Sequence, residues 1–144
     1  MPHQSKRRRT KRYVPKHVNI PIMHDLQEAF AFDAHGAFAA MRMAPNEGAF
    51  DQLAGIFNVI SVGLNDIGQQ SVILESGICA LQDISNRAER TGCFGLARHE
   101  LAPIRNAVLE AEALVKKLDL IRLYMAGRKL TAIATVEQAL KAAA

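Results

Sequence analysis

The residues best suited to chemistry in this chain are cations. Lys6, Arg7, Arg8, Arg9, Lys11, Arg12 and Lys16 place seven positive charges ahead of the first acid, Asp25. Clustered lysine and arginine neutralise phosphates and release their condensed counterions, an attraction that needs no folded pocket. The arginines can also fork onto phosphate oxygens through paired N–H groups. Tyr13 adds a ring on which an unpaired base could stack. This pattern predicts contact with nucleic acid and does not choose between DNA and RNA. The bland alternative is a solvated tail that keeps the protein soluble. An anionic membrane surface fits less well, because the segment has no apolar face to hold it there.

A second candidate phosphate-contacting patch surrounds the turn at residues 91–95. Arg87, Arg90, Arg98 and Arg105 flank it, with His99 beside them. Glu89 and Glu100 are interleaved, so the ordinary reading is a solvated helix end.

Other chemistries find less support. His24 and Glu28 share a helix face with Asp25 next to them, but a transition-metal site needs three or four convergent ligands. Asp33 and His35 are too scattered around the helix to complete one, and His99-Glu100 lacks the second histidine of an HExxH site. The spacing therefore predicts no metal, no cofactor and no catalytic residue. No GxSxG, Walker or GxGxxG pattern occurs. Cys79 lies within an apolar helical seam and reads as a small core residue. Cys93, in the glycine turn, reads as an exposed thiol with no cation at fixed spacing that would mark it as a nucleophile.

These groups must be positioned by helices. From Phe50, alternating steps of three and four land on Leu53, Phe57, Ile60, Leu64, Ile67, Ser71, Leu74, Ile78, Leu81, Ser85 and Ala88. Strands alternate every second residue and cannot present such a seam. The heptad phase survives Gly68, so we expect one long helix over residues 47–90, continuous or merely bent, spanning about 66 Å. A break near residues 65–68 is the alternative, since each of the glycines 55, 63, 68 and 77 costs about 1 kcal/mol in a helix. A first helix is expected from His24 to Met43, stopped by Pro45, with Asn46 as the next N-cap. A third is expected over residues 98–125, then a short final helix beyond Gly127 capped by Thr131 or Thr135. Val59, Val62, Val72 and Ile73 lie off the seam, so either other helices or a second copy of the chain must cover them.

Apolar residues make up 49% of the 144, ample for a core and too many for wholesale disorder. The formal charge of +4 hides an asymmetry: beyond Lys16, 11 basic residues face 14 acidic ones. The basic N-terminus is followed by no apolar stretch of a secretory signal, and no window is apolar enough to span a membrane. Two lone cysteines without CxxC spacing suit a reducing cytoplasm.

The motif Lys11-Arg12-Tyr13-Val14-Pro15-Lys16, ahead of an all-helical body with Glu89-Arg90-Thr91-Gly92 at its central turn, resembles a group of short proteins encoded by prophages and related mobile elements of proteobacteria. The resemblance implies a bacterial cytoplasm and a mobile-element setting, and it carries over no catalytic residue. The full expectation is an all-α helical bundle over residues 23–144, built on one long central helix. An extended or disordered basic arm precedes it at residues 1–22. The function expected is that of a non-enzymatic accessory protein that binds nucleic acid through the arm, as a monomer or a homodimer. The runner-up is a helical adaptor or inhibitor acting on another protein, with the arm incidental.

Overall fold

Local hydrogen bonding decides where each helix begins and ends. The computed structural model describes Ile22 and residues 24–144, which form α1 (His24–Met43), α2 (Glu47–Asp66), α3 (Val72–Thr91), α4 (Arg98–Val115) and α5 (Leu120–Ala143). Among the described residues there is no strand, and no helix is long and apolar enough to cross a membrane. The arm expected at residues 1–22 lies outside the described residues except for Ile22. That residue is buried in the core, and its carbonyl accepts a bond from Gln27 Nε2 at 2.9 Å.

α1 has the limits that its sequence predicts. Pro45 cannot continue it, and Asn46 Oδ1 accepts from the Ala49 amide at 2.9 Å to start α2. The expected rod over residues 47–90 is overturned: it is two helices that fold back on each other. α2 ends in a Schellman motif, with the Gln69 amide bonded to the Leu64 carbonyl at 2.9 Å and the Gly68 amide to the Asn65 carbonyl at 3.0 Å. Gly68 takes φ 69° there, a left-handed conformation costly for a side-chain-bearing residue. Ser71 Oγ then caps α3, accepting from the Leu74 amide at 3.3 Å. Ser61 Oγ donates to Glu75 Oε1 at 2.8 Å, so α3 returns along α2.

α3 and α4 form a second antiparallel hairpin, joined at one end by Arg87 and Glu100 and at the other by Ser71 Oγ donating to Glu110 Oε1 at 3.0 Å. Between them Gly77 sits directly against Ala107, where an added Cβ would collide with the alanine's own and press on Phe57. α1 packs on α2 and α4, and His35 Nε2 lies 3.0 Å from Glu112 Oε2 across that contact. The four helices thus make an up-down-up-down bundle around one core. α2 is its centre, touching every other helix. Pro103 lies inside α4, where it forgoes one backbone bond within the second turn.

The third expected helix is also divided. α4 stops at Val115, Leu118 fills the notch above Gly63, and Asp119 Oδ1 caps α5 by accepting from the Arg122 amide at 2.8 Å. α5 then runs unbroken through Gly127, so Thr131 and Thr135 are interior residues instead of caps. Their hydroxyls donate to the carbonyls of Gly127 and Thr131, at 3.0 and 2.9 Å. Among the helices α5 touches α2 alone, where Lys129 Nζ meets Asp66 Oδ1 at 2.7 Å. Residues 131–144 are exposed on every side.

Candidate nucleic-acid interface

The charge of the chain divides along this architecture. Residues 22–115, comprising α1 to α4, carry five basic and twelve acidic side chains; residues 116–144 carry six basic and two acidic ones. A net +7 segment therefore precedes an acidic four-helix body, and a basic final helix follows it. The seven leading cations and Tyr13 lie outside the described residues.

Within the body, the second candidate patch is centred on the turn between α3 and α4. This turn follows from sequence: Gly92 ends α3 at φ 70°, and Phe94 folds back so that its ring centroid lies 5.2 Å from that of Phe50. Arg87 does not join a set of free cations. Its Nη1 and Nη2 donate to the two carboxylate oxygens of Glu100, each at 2.8 Å, and Nη2 also donates to the Gly95 carbonyl at 2.6 Å. Glu100 Oε2 further accepts from the Ala97 amide at 2.7 Å, which is half of a capping box; Ala97 itself has no side-chain acceptor to complete it. Glu100 is 1% exposed and Arg87 29%. The Arg87 hydrogen bonds hold the Glu100 carboxyl below its ordinary range, the Ala97 amide assists, and burial opposes them. The same bonds raise Arg87.

This pair is a structural clasp: a forked, desolvated bond that fixes the turn and leaves little of the guanidinium for phosphate. Arg90, Arg98 and Arg105 are exposed, and none pairs with a carboxylate among the described residues. His99 Nε2 lies 3.9 Å from Glu100 Oε1 at the edge of the clasp. The patch is therefore three cations around a rigid turn.

The remaining candidates separate. Ligand atoms of His24, Asp25 and Glu28 lie within 4.8 Å of one another, but all three residues are exposed at the start of α1. His24 Nδ1 sits 3.5 Å from Glu28 Oε1, an ordinary surface pair one turn apart. His35 is taken by Glu112 and does not approach them. Cys79, expected in the core, is exposed along with Cys93, and both are free thiols. The seam placed position 79 one residue after Ile78, and α3 turns that position outward. Of the off-seam residues, Val59 and Val62 are half-buried, whereas Val72 and Ile73 are exposed.

Two features escaped sequence reasoning. Glu100 looked like one of two acids diluting a basic patch, and the thirteen-residue separation from Arg87 matches no short motif. The basic character of residues 116–144 was legible only once the end of α4 was known. No known protein family, curated protein or solved structure matches the chain.

Proposed function

We propose that the protein is a non-enzymatic accessory protein of a bacterial mobile element that binds nucleic acid through residues 6–16. The observation that carries this is the segregation of charge: seven lysines and arginines precede the first acid, attached to a body that is itself acidic. An acidic body repels phosphates, so the cations at its end dominate any encounter with a polyanion. Arg90, Arg98 and Arg105 supply a secondary contact on the turn between α3 and α4. Phosphate contacts of this kind carry no sequence information, so binding is weakly selective.

The test compares the full chain with one lacking residues 1–17 on short DNA and RNA duplexes and single strands across a salt series. Seven phosphate contacts give a log–log salt slope of about −6 on duplex DNA, from −0.9 per contact. Equal binding by both proteins, or by neither, overturns the proposal.

A helical adaptor is the second reading, and α5 favours it. Tyr124, Met125, Ile133, Val136 and Leu140 are exposed on a helix that, among the described helices, packs on α2 alone. Apolar surface on several sides of a helix suits a protein partner or a second copy of the chain.

A further inference from the structure

The antiparallel pairing of α2 and α3 leaves a groove along its outer side. Ala54, Ile78, Leu81, Phe50, Ala88 and Phe94 line it from mid-bundle to the α3–α4 turn, with Asn58, Gln82 and Ser85 set among them. At the turn end the wall is acidic: Glu47 and Asp51 come from the first turns of α2, and Glu89 from the last turn of α3. None of these three carboxylates pairs with a cation among the described residues. Arg87, two residues before Glu89, is held by Glu100, and Arg90 beside Glu89 is exposed.

A mixed floor of apolar side chains and uncharged amide and hydroxyl groups, with unpaired carboxylates at one end, is complementary to an extended segment dense in lysine and arginine. Long cationic side chains lay their methylene stems on apolar surface while their charged ends reach acids, and the Phe50–Phe94 pair offers ring faces to a guanidinium. We infer that this groove is the docking site of the chain's own basic segment, residues 6–16, which exchanges between the groove and external polyanions.

Geometry and concentration favour this occupant. Ile22 lies at the start of α1, and the acidic end of the groove lies near the end of α1, about 30 Å away at 1.5 Å per residue. Arg9, thirteen residues before Ile22, has an extended reach of about 44 Å at 3.4 Å per residue, enough to cross α2 as well. A tethered segment is present at an effective concentration on the order of millimolar, which outcompetes the same segment on a second copy at micromolar protein. α5 meets α2 around Asp66, away from the acidic end of the groove.

Docking can be read without nucleic acid, and only the exchange rests on the function proposed above. Cys93 is an exposed thiol beside Phe94 at the acidic end of the groove. In the full chain carrying Cys79→Ser, Thr10→Cys adds a thiol inside the basic segment without altering its charge. A short bismaleimide should then join position 10 to Cys93 within one chain, at a rate independent of protein concentration. Adding Glu47→Gln, Asp51→Asn and Glu89→Gln should slow that crosslink about tenfold, with helicity by circular dichroism confirming an intact fold. An unchanged rate, or crosslinks formed between chains, overturns the inference. The same triple variant should bind a short duplex several-fold more tightly than the parent. If the crosslink responds to the acids while neither protein binds nucleic acid, docking stands and the proposed function fails.

Discussion

α4 and α5 are consecutive helices of 18 and 24 residues, yet they stand in opposite relation to the core. α4 buries Ile104, Ala107, Val108, Ala111, Leu114 and Val115, whereas α5 buries Ala126 alone. The difference does not lie in apolar content, for α5 has plenty. In α4 the apolar residues recur three and four apart and so form one stripe. In α5, Leu123, Tyr124, Met125, Ile133, Val136 and Leu140 point around the whole circumference, and no single contact can cover them. Arrangement, not amount, determines what a bundle can bury.

The largest expected effect lies at the clasp on the α4 side. Arg87→Met leaves the buried Glu100 carboxylate uncompensated and should cost about 3–5 kcal/mol, as removal of one member of a buried pair does. The double variant Arg87→Met/Glu100→Leu should recover most of that loss, since apolar replacement of a whole buried pair is nearly neutral. Urea unfolding monitored by circular dichroism distinguishes the two. If the single and double variants are equally unstable, the clasp acts through packing and not through charge.

Acid should reveal the same pair. The folded Glu100 carboxyl titrates below its unfolded value, so its stabilisation is complete above the ordinary glutamate pKa of about 4.3 and is lost as pH falls through the folded value. Arg87 stays charged throughout. The urea midpoint should therefore fall below about pH 4, with a component missing from the double variant.

Glycines sharpen the contrast between the two regions. Gly77→Ala drives a methyl into Ala107 and should destabilise by about 1–3 kcal/mol, the usual cost of overpacking. Gly127→Ala in α5 meets nothing within 4 Å and should stabilise by about 0.5–1 kcal/mol through helix propensity. Thermal melts of the two variants should thus shift in opposite directions. The smallest effect is expected at Leu140, 66% exposed, where Leu140→Ser should stay within about 0.5 kcal/mol of the parent. A larger loss there would show that a second copy or another partner already covers α5.

Much of the bundle was legible. The limits of α1, the cap at Asn46 and the turn with Phe94 tucked inward follow from proline, asparagine and glycine chemistry that acts within a few residues. The reversal at Gly68 was misread because heptad phase is indifferent to it. When a helix folds back, both arms still present their apolar faces to one core, and the spacing runs on across the turn. Of the candidate site, the four arginines were found, but the engagement of Arg87 was not.

The helical class, the basic segment at residues 6–16 and the local stops could be read from the residues alone, because helix periodicity, charge clustering and capping depend on near neighbours. Folding alone made the central seam a hairpin, set Glu100 against Arg87 thirteen residues away and gathered three acids at one end of a groove. Those facts depend on which helix faces lie together, and residues far apart in sequence meet only after the chain has turned back on itself.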